Sequence, residues 1–152
     1  MKFTVRFAHL EKALVKTGDK LVEGDAIGVM GSSGQSSAAH LHLDCVEGEA
    51  LFKYTQGDIE KGIPKPAPRQ LNYFIDDALF KTTPVITTFY ADYNYQQEHA
   101  KVHFGYDVVP FNRRITTDNF TIYWNRSMIG RVAKILDDPA GYGNCVYVVF
   151  DV

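Results

Sequence analysis

Apolar residues gather along the chain in short runs rich in Val, Ile, Thr, Phe and Tyr, and polar turn signals built from Gly, Asp and Asn separate them. "FTVRFAHL", "AIGVMG", "AHLHLDCV", "PVITTFYADY", "FTIYWN", "IGRVAKILDD" and "NCVYVVFDV" all have this character. Such runs predict strands and a mostly β protein. One stretch has a helical period instead: residues 69–80, "RQLNYFIDDALF", place Leu71, Phe74, Ile75, Ala78 and Leu79 at i, i+3, i+4 spacing. Before it, "GIPKPAPRQ" carries prolines at 64, 66 and 68 and predicts a stiff, extended connector. There is no internal repeat and no low-complexity tract.

Within "AAHLHLDC" the alternation raises a chemical question. Side chains two apart on a strand share a face, so His40 and His42 point one way while Leu41 and Leu43 point the other. An apolar face on a core and a polar face on a groove account for the pattern. The two imidazoles are either satisfied surface histidines or part of a metal site, since neutral imidazole is a common zinc ligand and catalytic base. By the same period Asp44 falls on the groove side, as a partner holding a histidine or as a simple surface carboxylate.

At 152 residues, 45% hydrophobic and 13% aromatic, the chain suits one domain with its own core. A net charge of −2 leaves no basic stripe for nucleic acid. No apolar run approaches the roughly 20 residues of a membrane span, so no membrane partner is expected. "MKFTVRFAHLEKALV" is broken by Arg6, His9, Glu11 and Lys12 and does not read as a signal peptide. Cys45 and Cys145 are too few for a disulfide framework or a zinc ribbon. They read as ordinary strand residues or as a single bridge.

"KTGDKLVEGDAIGVMGSSG" spaces Gly18-Asp19 and Gly24-Asp25 six residues apart, with Gly31 and Gly34 flanking a serine-rich loop. Glycines there permit left-handed turns and close backbone approach. Biotinyl and lipoyl carrier domains share such a Gly-Asp pattern, but the Met-Lys hairpin tip that they modify is missing.

The second half contains "KVHFGYDVV", in which His103 and Asp107 bracket Gly105. Alone this H-x-G-x-D is a weak sign of a metal. Together with "FAHL", the Gly-Asp stretch and "HLHLD", it resembles the lysostaphin and LytM-type zinc endopeptidases that cut peptidoglycan cross-links. The order differs from the family's, in which H-x-G-x-D comes first. Joining residue 152 to residue 1 reads "GYGNCVYVVFDVMKFTVRFAHLEK", a β-hairpin broken at its turn. The chain therefore looks like a circular permutant: residues 1–48 match the later family motifs, 84–152 the earlier ones, and 49–83 form the connector. A monomer with the whole site is expected; the other arrangement is a swapped dimer in which each site is shared.

The resemblance implies an all-β fold, an antiparallel sheet or sandwich with a groove and one short linker helix. It implies one Zn2+ per active site, held by His42, His103 and Asp107, with the fourth position open to water. His9 and His40 would be catalytic, one taking or orienting the water's proton and both stabilising an oxyanion. Tyr93 and Tyr95, in the loop before His103, are candidates for contact with substrate or for packing, and His99 reads as a solvated loop histidine. The implied activity is hydrolysis of peptidoglycan peptides. A phage endolysin or tail-associated module, made in the cytoplasm and acting on the wall after lysis or within a virion with other tail proteins, is the expected setting. The rival is a non-catalytic wall-binding or virion structural module that keeps the zinc fold.

Overall fold

The computed structural model describes residues 1–36, 38–111 and 120–152. Ser37 of the serine-rich loop predicted above lies outside them. The described strands are β1 (Lys2–Ala13), β2 (Lys20–Leu21), β3 (Ala26–Met30), β4 (Leu41–Glu47), β5 (Pro84–Thr88), β6 (Tyr106–Pro110), β7 (Thr121–Tyr123), β8 (Gly130–Asp138) and β9 (Gly143–Asp151). Three short helices accompany them: α1 (Gln56–Glu60), α2 (Pro68–Asn72) and α3 (Tyr93–His99). The fold is all-β and antiparallel, as the strand-like runs predict. The sheet runs β2-β8-β9-β1-β4-β6-β5, and β3 pairs with β1 and β7. No helix among the described residues is long and apolar enough to cross a membrane.

β1 organises the molecule. Its first half pairs with β4 from Phe3↔Glu47 to Ala8↔His42 and its far end pairs with β3, while β9 runs along its other edge. Period-2 alternation sorts its side chains into two cores. Phe3, Val5 and Phe7 join Leu41, Leu43, Phe74, Trp124 and Phe150 on one face. On the other face Ala8 meets Val46, Tyr54, Ile59 and Tyr147. The chain ends lie together: the Met1 amino group donates to the Val152 carbonyl at 3.0 Å, and the Val152 N–H donates to the Met1 carbonyl at 3.0 Å.

Three local readings are corrected. The helix expected over 69–80 stops at Asn72, because the Asp76 carboxylate accepts from the Ala78 N–H at 2.9 Å and offers the backbone a turn instead. Leu71, Phe74 and Leu79 are nonetheless buried, while Ala78 is exposed. The strand expected over "PVITTFYADY" ends at Thr88. Asp92 then accepts from the Phe89 and Tyr95 N–H groups, both at 3.1 Å, and caps α3 where a loop was read. The proline-rich connector is also more than a spacer, since residues 50–80 cover both faces of the sheet: Ala50, Tyr54 and Ile59 on one side, Leu71, Phe74 and Phe80 on the other.

Phe74 has no exposed surface and packs edge-on against Phe7, with Trp124 and Phe150 rings at 5.4 and 5.6 Å. Phe74→Ala is expected to cost about 3–5 kcal/mol of stability. A urea melt reads this directly; a loss under 1 kcal/mol would mean that the connector is not part of the core.

Cys45 sits in the first core and Cys145 in the second, so the sheet separates them, and both thiols are free and buried. Burial pushes the Cys145 thiol up to about 12. Of the two readings of the cysteines, the strand-residue one holds.

Candidate metal centre

His42 opens β4 one residue after Leu41, and β4 pairs it with Asp107 of β6 in register. His103 precedes β6 by three residues and reaches back over the same carboxylate. His42 Nδ1 lies 3.2 Å and His103 Nε2 3.4 Å from Asp107 Oδ1. All three ligating atoms lie within 4.8 Å of one another. Around a tetrahedral zinc with bonds near 2.0–2.1 Å, neighbouring ligand atoms are about 3.3–3.4 Å apart, so both distances to Asp107 fit that ion.

Each histidine is turned by its other nitrogen. His42 Nε2 donates to Asp44 Oδ2 at 2.8 Å, and His103 Nδ1 donates to the Phe89 carbonyl at 3.2 Å. That leaves one lone pair on each ring aimed at Asp107. Burial opposes the charge on Asp107, but the neighbouring His103 and His42 rings hold its carboxyl well below the usual range. Burial likewise disfavours a charged His42, and the adjacent Asp107 and Asp44 carboxylates outweigh it, raising the imidazole above its ordinary value.

Gly105 explains the middle of H-x-G-x-D. A Cβ there would stand 2.3 Å from the Leu43 carbonyl and 3.0 Å from His42 Cε1. Only a residue without a side chain lets β6 approach β4 closely enough to join the two ligand sets.

His9 reaches the site by a backbone device. It sits in a β-bulge of β1 with φ 61°, a left-handed conformation uncommon for a residue with a side chain. The bulge turns its ring into the groove, 5.0 Å from the His40 ring and 6.3 Å from that of His42. Its Nδ1 donates to the Ser33 carbonyl at 2.8 Å, so Nε2 is a free acceptor. Burial lowers His9 to about 4, which keeps the ring neutral at physiological pH. Ser33 is held by a glycine contact: a Cβ on Gly34 (φ 73°) would collide with the Gly143 backbone at 2.3 Å.

His40 is half-buried. Its Nδ1 donates to the Ala38 carbonyl at 2.9 Å, and its Nε2 lies 3.6 Å from Asp107 Oδ1. His9, His40, His42, His103 and Asp107 thus line one groove of about 650 Å³.

The two tyrosines separate. Being two apart on α3 rather than on a strand, they face different directions. Tyr95 lines the groove with its ring 4.6 Å from His103, whereas Tyr93 is 72% exposed and does not line it. His99 is exposed, stacks on Tyr95 at 4.4 Å and stands on the groove rim.

Sequence reasoning gave no role to Arg6, Tyr54 or Tyr142. Arg6 is fully buried, paired with Asp44 and sandwiched between the rings of Tyr54 at 4.2 Å and Tyr142 at 3.9 Å. The signal was legible: Arg6 and Asp44 are charges inside apolar strands, and both take the face that His42 takes. Despite burial, which opposes the charge, Arg6 and His42 hold the Asp44 carboxyl below its ordinary value. Asp44 is therefore a buried partner of His42, not a surface carboxylate.

Fold, motifs and site together resemble those of LytM-type domains. The model of Peptidase family M23 matches residues 1–52. The chain is 36% identical over 42 residues to the peptidoglycan DD-endopeptidase ShyC of Vibrio cholerae, covering 28% of this chain and 10% of that protein. It is 39% identical over 44 residues to ShyA of the same organism, also a peptidoglycan DD-endopeptidase, covering 29% and 10%. A protein of Buchnera aphidicola described as an uncharacterized metalloprotease is 43% identical over 42 residues, covering 28% and 11%. The chain spans about a tenth of the length of these relatives. No solved structure matches it significantly.

Proposed function

We propose that this chain is a zinc-dependent endopeptidase that hydrolyses peptide bonds of bacterial peptidoglycan. One observation carries the reading: two imidazole nitrogens and a carboxylate oxygen converge within 4.8 Å of one another, and two further histidines line the same groove. Similarity to two peptidoglycan DD-endopeptidases supports the substrate class.

His42, His103 and Asp107 would hold the metal. Zinc bound there supplies Lewis acidity, acidifying a water and polarising a scissile carbonyl. The rest falls to the chain's own side chains. His9 and His40 each turn Nε2 toward the groove, because the Ser33 and Ala38 carbonyls occupy the opposite nitrogens. One accepts the proton of the attacking water, and the resulting imidazolium then donates to the developing oxyanion or the leaving amine. Tyr95 packs on His103 and limits its tilt.

The test is zinc content per chain by mass spectrometry of the metal-replete protein, with digestion of purified peptidoglycan sacculi. One zinc per chain and newly freed amino and carboxyl groups among the released muropeptides are expected. Zinc-loaded protein that frees none would sink the enzymatic reading and leave a wall-binding module.

The permuted motif order is part of the proposal. What supports it is the pairing of the two chain ends on neighbouring strands. Linking Val152 to Met1 through an Asn-Gly turn, with new ends opened between the exposed residues Gly62 and Ile63, restores the family's motif order. This variant is expected to fold, bind zinc and melt within a few degrees of the parent; an unfolded product would count against the permuted order.

A further inference from the structure

Behind the metal ligands lies a buried network centred on Asp44. Asp44 has no exposed surface and four donors. Its Oδ2 accepts from His42 Nε2 at 2.8 Å, from Arg6 Nε at 3.0 Å and from Arg6 Nη2; its Oδ1 accepts from the Tyr54 hydroxyl at 3.0 Å. Arg6 Nη1 donates to the Tyr54 carbonyl at 2.7 Å. Tyr142, the second ring of the guanidinium sandwich, touches the rings of both His42 and His9, at 5.6 and 6.2 Å.

We propose that Arg6, Asp44 and Tyr54 are positioning residues for His42, fixing the tautomer and tilt that present Nδ1 to the metal. The inference rests on the reading of His42 as a ligand and deepens it. With every donor around Asp44 committed, its carboxylate has a single orientation, and His42 can satisfy it only by donating from Nε2. The proton is then on the far side of the ring from Asp107, and Nδ1 carries the lone pair. A lone Asp44 could rotate. Arg6 and Tyr54 prevent this from two sides, and the aromatic sandwich stops the guanidinium from swinging away. Tyr54 lies in the connector, outside the segment that the family model matches. The residues that join the two motif-bearing halves therefore help to build the metal centre.

Three proteins test this: the parent chain, Tyr54→Phe, and the double variant Arg6→Met/Asp44→Leu. The double variant exchanges a buried ion pair for apolar groups, a change that proteins often tolerate. Zinc affinity is measured by chelator competition, the visible spectrum of the Co2+-loaded protein reports ligand geometry, and metal-free melting reports structure. The double variant is expected to bind zinc about 10–100-fold more weakly with an altered cobalt spectrum, and Tyr54→Phe a few-fold more weakly. A purely structural role would lower metal-free melting and leave affinity and spectrum alone, and that result overturns the inference. If the double variant does not fold, Tyr54→Phe decides by the same readouts. A parent chain that takes up neither metal overturns the ligand assignment itself.

Discussion

His42→Ala is expected to strip the metal from the protein and to lower peptidoglycan hydrolysis by roughly 10^3-fold or more. A metal's Lewis acidity is worth several kcal/mol of barrier, and each ~1.4 kcal/mol is tenfold in rate. Of the three converging candidate ligands, His42 is the one that β4 fixes both by register opposite Asp107 and by its bond to Asp44. Alanine leaves two ligands, too few to close a zinc site. The fold should survive, because Asp44 keeps the Arg6 and Tyr54 bonds when the imidazole is gone. The measurement is metal content, circular dichroism and sacculus digestion on one preparation. A folded variant that retains zinc and activity would remove His42 from the site.

The second large effect separates an enzyme from a binder. In His40→Ala, zinc content should stay near that of the parent while hydrolysis falls about 10^2–10^4-fold, the usual weight of a positioned acid or base. His40 lies 3.6 Å from Asp107 but is not among the converging ligand atoms, and as a half-buried residue ahead of β4 it carries little of the core. Its removal should change stability by no more than about 0.5 kcal/mol. Turnover of a soluble wall peptide, compared with retention on sacculi, reads the two functions apart. Unchanged lysis by this variant would favour the binding module.

Much of the site was legible before folding because it is written in short-range patterns. The H-x-H run alternates Leu41 and Leu43 into the core against His42 on the groove, and both leucines are fully buried. H-x-G-x-D is legible for a different reason: two candidate ligands four apart need a glycine where another strand's backbone passes. The tyrosines were less tractable. Tyr93 and Tyr95 look equivalent along the chain, and only the Asp92 cap, which starts a helix there, sends one to the groove and the other to solvent.

What the sequence determined by itself, then, is everything with a local period or an intrinsic chemistry: the β class, the apolar and polar faces of β4, the residue types of the candidate site and the absence of a basic stripe. The tertiary structure decided what depends on register between distant segments. It aligned Asp107 with His42 across 65 residues, bulged β1 so that His9 turns inward, and brought Arg6 and Tyr54 onto Asp44. It also drew the connector over both faces of the sheet. The reason is physical: alternation needs only neighbours along the chain, whereas a buried charge finds its partner only when two strands have chosen their register.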